Sequence, residues 1–139
     1  MNNIELASVA TALAFAFGTG ATAQDMSKSD YKSARNGISI EYKSAVKICA
    51  AMSGNKKDIC MADARGSEKI AKAELEARSA PGSKNSYALS IARADAEYSA
   101  AKERCDNQDG EAKKACVEDA KALHAKATAD AEAALKTPK

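Results

Sequence analysis

Apolar positions in this chain recur in alternating steps of four and three. The clearest run is Tyr87, Ile91, Ala94, Tyr98, Ala101 and Cys105, and the same steps connect Tyr31, Arg35, Ile38, Tyr42, Ala45 and Cys49. Two further runs start from a cysteine. They are Cys60, Ala64, Ser67, Ala71, Glu74 and Arg78, then Cys116, Ala120, Leu123, Ala127, Asp130 and Ala134. Such steps trace a heptad seam, a narrow stripe along one side of a helix. The pattern therefore predicts four helices. Met52-Ser53-Gly54-Asn55 separates the first two, and Asn107-Gln108-Asp109-Gly110 the last two. Both are clusters that punctuate helices. Asn36-Gly37 falls inside the first helix and predicts a late start or a kink there.

The four runs form two copies of one unit. Cys49 and Cys60 lie eleven apart, as do Cys105 and Cys116, and the pairs are offset by 56. The same offset carries Tyr31 onto Tyr87, Glu41-Tyr42 onto Glu97-Tyr98, Gly54 onto Gly110 and Asp63-Ala64 onto Asp119-Ala120. Matches of Cys, Tyr and Gly are costly in an alanine-rich chain, so the duplication is real. It covers residues 28–78 and 84–135. Ser79-Ala80-Pro81-Gly82-Ser83 links the copies. The fold class expected is all-α: two tandem antiparallel helical hairpins, built as one domain over residues 24–139.

Antiparallel pairing about each turn sets a register. Cys49 opposes Cys60, Ala45 opposes Ala64, Tyr42 opposes Ser67, and Arg35 opposes Glu74 as an ion pair. In the second copy Cys105 opposes Cys116, Ala101 opposes Ala120, and Tyr98 opposes Leu123. Counting alone allows three pairings of four cysteines. The register selects Cys49–Cys60 and Cys105–Cys116. A disulfide needs Cα atoms about 4.4–6.8 Å apart, closer than the about 8–10 Å of ordinary helix packing. The alanine layers beside each pair permit that approach. Each hairpin is thus expected to be stapled near its turn.

The amino-terminal 23 residues read differently. Leu6–Phe17 is a twelve-residue apolar stretch followed by Gly18, Gly20 and Ala21-Thr22-Ala23. It is short for a membrane span and has the form of a signal peptide with a small-x-small cleavage site. No Lys or Arg precedes the apolar run and Glu5 does; the alternative is a buried N-terminal helix. An even number of cysteines agrees with export to an oxidising compartment, periplasmic or secreted.

Composition narrows the class further. After residue 23 there are 26 Ala but only 12 Leu, Ile and Val together, with no Phe or Trp. That excludes a large aliphatic core, a β-sandwich and a doubly wound enzyme, while the Ala, Lys, Glu and Arg content favours helix. Lys and Arg number 21 against 19 acids, and Glu5 is the only acid before residue 24, leaving 21 against 18, or +3. The signs are interspersed, without the basic, aromatic-studded tracts that bind nucleic acid.

Candidate chemistry is sparse. Cys49, Met52, Cys60 and Met61 gather soft ligands near the first turn, which would suit copper(I) or zinc in a metal-binding or thiol-buffering protein. The Cys-x10-Cys spacing is not a tight metal motif, so no metal or cofactor is assigned. His124 is the single histidine, with no Cys or carboxylate partner apparent in sequence, and reads as a surface residue. Glu74/Glu76 and Glu118/Asp119 read as charged helix faces. No nucleophile–base set can be assembled and no pocket is expected. The four tyrosines are expected to pack along the seams with their hydroxyls at the edge.

The segments YKSAVKICAAMSGNKKDICMADAR, EKIAKAELEAR and AEYSAAKERCDNQDGEAKKACVEDAKA resemble a family of small exported Ala/Lys-rich proteins of Gram-negative, chiefly β-proteobacterial, species. Its members carry tandem units of Y-x-x-A-x-x-x-C, a Gly-Asn-type turn and C-x-x-x-A, and are often described as cell envelope biogenesis proteins after TolA. The likeness spans residues 27–135. It departs from the family pattern at Arg65-Gly66, where an unbroken Ala/Lys helix is usual, and at Asp109-Gly110-Glu111. The resemblance implies a periplasmic address and no defined activity. The expected function is a non-enzymatic helical module that binds a periplasmic protein or envelope component.

Overall fold

The computed structural model describes residues 26–137; the signal expected over residues 1–23 lies outside the described residues. Four α-helices follow in order: α1 Lys28–Ala50, α2 Gly54–Ser79, α3 Ser83–Cys105 and α4 Gly110–Lys136. They form two antiparallel hairpins, α1–α2 and α3–α4, in the places where the seams predicted them.

Local chemistry sets the ends. Ser27 caps α1: its Oγ accepts the Asp30 N–H at 3.1 Å, satisfying one of the amide groups a helix start leaves open. Gly54 and Gly110 both have φ +57°, the left-handed conformation that costs other residues about 1–2 kcal/mol. The two turns therefore repeat in backbone as well as in sequence. The expected break at Asn36-Gly37 is absent, and α1 runs through it. A glycine weakens a helix interior by only about 1 kcal/mol, and the half-buried Ile38 and Tyr42, beside Ala64, Ser67 and Ala71, hold the helix against α2.

Packing is strictly between sequence neighbours. α1 lies on α2, α2 on α3 and α3 on α4; among the described residues no other pair of helices approaches within 8 Å between Cα atoms. The result is a row one helix thick, not a closed bundle. The link between hairpins is only Ala80–Gly82, and Asn85 pins it by donating from Nδ2 to the Ala80 carbonyl at 2.6 Å.

The α2–α3 contact uses a second stripe on each helix. Its centre is Gly66, where an added Cβ would sit 2.8 Å from the Ala96 Cβ. Ala62 and Gly66 on α2 and Ala100 on α3 are buried. Gly66 thus has a steric reason: only glycine lets α3 come this close. Two ion pairs flank the contact, Glu74–Arg93 at 2.8 Å and Asp63–Arg104 at 3.1 Å. Glu74 therefore pairs across to α3 and not with Arg35, which is exposed on α1. A register built within one hairpin could not anticipate a partner from the other.

Among the described residues, Leu75 is the only large aliphatic side chain that is fully buried. Alanines and two cysteines make up the rest of the core. The four tyrosines are all half-buried on the seams. Tyr31 donates its hydroxyl to the Glu76 carboxylate of α2.

Candidate functional site

The disulfides join the cysteines that the register paired. Cys49–Cys60 and Cys105–Cys116 have Cα separations of 5.5 and 5.6 Å. Cys49 and Cys105 are 1% exposed, whereas Cys60 and Cys116 are half-buried at the surface. With each sulfur bonded, Cys49 and Cys60 offer no thiolate to a metal in this state, although Met52 lies beside them.

Each staple opens onto a shallow groove. The first, about 560 Å³, is lined by Ile48, Met52, Lys56, Ile59, Asp63 and Ser67 around the bridge. The second, about 500 Å³, presents Arg104, Gln108, Ala112, Ala115, Asp119 and Leu123. Each of these residues lies 56 positions after its counterpart, in the order given. The grooves are thus one site in duplicate, differently furnished. No pocket is evident in the sequence; close approach at the disulfide leaves the flanking side chains standing apart and makes one.

The two grooves share a face of the row. Asp63 lines the first and Arg104 the second, and their ion pair bridges α2 and α3. A third depression holds Asp63, Ser67 and Arg104 together with Ile70 and Arg93. A continuous trough therefore crosses the row near its disulfide end. Its apolar content is exposed: Ile48 is 61% accessible, Met52 41% and Leu123 66%. Leu123 was expected to face Tyr98 on the seam and instead points to solvent.

His124 takes that inner position. Its ring centroid is 5.0 Å from that of Tyr98, and Nε2 is 2.8 Å from Asp95 Oδ1. The surface assignment is corrected accordingly: His124 is half-buried and bridges α4 to α3. Asp95 lies 29 residues away in sequence, and no motif links the two, so only the fold reveals the pair. Lys102 Nζ also sits over the Tyr98 ring, 5.7 Å from its centroid. Nearby, the Glu118 carboxylate accepts a hydrogen bond from Lys121 at 2.7 Å and raises the pKa of that ammonium. Among the described residues the His124 ring has no hydrogen bond other than that to Asp95, so no nucleophile is engaged.

A separate cleft of about 810 Å³ opens at the far end of the second hairpin, lined by Ser83, Ser86, Tyr87, Ser90, Ala131 and Leu135. Ala131 is the counterpart of Leu75, so the cleft lies where the second copy lacks the first copy's largest buried side chain.

No helix among the described residues is long and apolar enough to cross a membrane. Compared with protein-family models, curated proteins and solved structures, the chain matches none.

Proposed function

We propose that this chain is a non-enzymatic helical module of the periplasm or cell exterior that works by binding protein through its grooved face. The observation that carries the reading is the trough itself. Two repeat-equivalent apolar grooves adjoin on one face, with Ile48, Met52 and Leu123 held out to solvent. Contiguous apolar surface left exposed and rimmed by polar groups marks a site of protein interaction. The frame is rigid for stated reasons, a bridge in each hairpin and a glycine-set contact between them.

Support for the address comes from the signal-like residues 1–23, the paired cysteines and the resemblance to exported Ala/Lys-rich envelope proteins. What supports a non-enzymatic role is that, among the described residues, the His124 ring bonds only Asp95 and all four cysteines are joined in bridges.

Cross-linking in intact cells tests the proposal. Wild-type chain should give a defined set of cross-linked species that Ile48→Asp/Met52→Asp abolishes while export and helix content are unchanged. An identical pattern from both chains would refute binding through this face.

A further inference from the structure

The row raises a question that its own residues answer. It is one helix thick, whereas stable domains pack two layers about a core. A second layer over the trough would bury the side chains the row leaves exposed.

We propose that this layer is a second copy of the chain, in a two-fold dimer that sets the first hairpin of each protomer over the second hairpin of the other. The inference rests on the interaction-module reading and names the partner of that face. Three features point to it.

The first is shape. The grooves are equivalent in backbone but opposite in filling. Ile48 and Ile59 in the first correspond to Arg104 and Ala115 in the second, while Ser67 corresponds to Leu123. Stacking like on like would set bulk against bulk. Stacking crosswise lays α1, with Ile48, over the Ala112 and Ala115 side of α4 in the other copy, and α4, with Leu123, over α1.

The second is charge. The nine positions 50–58 of the first turn carry Lys56, Lys57 and Asp58, a net +1. Their counterparts 106–114 carry Asp106, Asp109 and Glu111 against Lys113 and Lys114, a net −1. Crosswise stacking brings these ends together, and complementary potentials fix register between partners.

The third is symmetry. An isologous contact needs a patch whose halves complement each other. A two-fold axis parallel to α2 and α3, passing by the Asp63–Arg104 pair, satisfies this in duplicate. It lays each basic turn beside an acidic one and each large groove over a small one.

Sedimentation equilibrium of the exported, disulfide-intact protein tests the proposal. Wild type should be dimeric at tens of micromolar, within the usual range for specific contacts. Ile48→Asp/Met52→Asp should raise the dissociation constant by about 100-fold or more, as expected when two charges replace exposed apolar side chains that the contact buries. Lys56→Glu/Lys57→Glu should weaken the dimer about tenfold, and adding Glu111→Lys should recover part of that loss. Zero-length carbodiimide cross-linking of mixed ¹⁵N- and ¹⁴N-labelled protein then locates the contact. Intermolecular links should join Lys56 or Lys57 to Asp109 or Glu111. A monomer at the highest attainable concentration overturns the inference, as does a dimer whose links join first hairpin to first hairpin. Either result leaves the broader reading to the cellular cross-linking, where a partner of different mass that is lost on Ile48→Asp/Met52→Asp would sustain it.

Discussion

Two glycines in helix interiors should respond to the same substitution with opposite signs. Gly37 and Gly66 both lie well inside their helices. Replacing either with alanine raises helix propensity by about 1 kcal/mol. At Gly37 an added Cβ meets no heavy atom within 4 Å. Gly37→Ala should therefore gain the full amount and raise Tm by roughly 4–6 °C for a domain of this size. At Gly66 the new carbon would lie 2.8 Å from the Ala96 Cβ and 3.4 Å from its Cα. Carbon atoms normally approach to about 3.5–4.0 Å, so α2 and α3 must part by most of an ångström. A gap of about 0.5–1 Å forfeits a quarter to a half of each dispersion contact along the interface. Overpacking of this kind costs about 1–3 kcal/mol. The loss exceeds the propensity gain, and Gly66→Ala should lower stability by up to about 2 kcal/mol net.

Urea denaturation followed by far-UV circular dichroism measures both. The double-mutant cycle with Ala96→Gly isolates the contact. Removing the opposing methyl makes room, so Gly66→Ala/Ala96→Gly should be more stable than the sum of the single effects by about 1 kcal/mol or more. If Gly66→Ala stabilises as Gly37→Ala does, or the cycle closes to within about 0.3 kcal/mol, then α2 and α3 are not in close contact.

Leu75→Ala should cost about 2–5 kcal/mol, since it empties the one large buried aliphatic site; its counterpart Ala131→Leu should gain about 1–2 kcal/mol by filling the cleft beside it, and a destabilised Ala131→Leu protein in the same melts would show the cleft too narrow. Proteolysis in the Arg78–Lys84 link without reductant should release two internally bridged fragments, and thiol titration of protein purified without oxygen should find four blocked cysteines; a Cys49–Cys105 bridge would overturn the hairpins, and free thiols would revive the soft-metal reading. Reductant should lower Tm, with loop-closure entropy worth just under about 3 kcal/mol per bridge. The Tyr31 hydroxyl donates to Glu76, which lifts its pKa above the ordinary value. Its contribution is therefore present below about pH 10 and lost as pH rises through the folded value. Subtracting a Tyr31→Phe titration of 295 nm absorbance from wild type should leave one step with a midpoint above 10, and a midpoint at or below 10 would remove the Tyr31–Glu76 bond.

Each hairpin was legible in sequence because its information is local. Four-three steps ending in cysteine, a glycine turn and a mirrored return fix the register of two adjacent helices. Cys49–Cys60 and Cys105–Cys116 followed from that register alone. What was not legible depends on α2 meeting α3. Glu74 has Arg35 opposite it within its hairpin and Arg93 beside it in the row, and nothing in the spacing favours the second. The stripe of Ala62 and Gly66 is small and weakly hydrophobic, so in a chain this rich in alanine it leaves no periodic signal. His124 and Leu123 show a related limit. A heptad seam assigns one of two adjacent positions, and near residue 123 the ring of Tyr98 selects the histidine, whose Nε2 finds Asp95, and turns the leucine out.

The two copies agree and differ according to which interactions a position serves. Where they agree, in cysteine, turn glycine, seam alanine and tyrosine, the residue works within its own hairpin. Where they differ, it answers to its place in the row. Gly66 is glycine because α3 lies against it, while its counterpart Ala122 lies on α4, which has no helix beyond it among the described residues and leaves the alanine exposed. Arg104 ties α3 to Asp63, while its counterpart Ile48 lies on α1, at the free edge, with nothing to pair. Asp119, the counterpart of Asp63, is likewise in no ion pair among the described residues. An exposed isoleucine at an edge position, where the other copy keeps an arginine, gains nothing for a monomer that leaves it in water. Covering Ile48 would stabilise by about 1.5–3 kcal/mol, and nothing among the described residues covers it. The asymmetry between Ile48 and Arg104 is thus itself an argument that the grooved face is used.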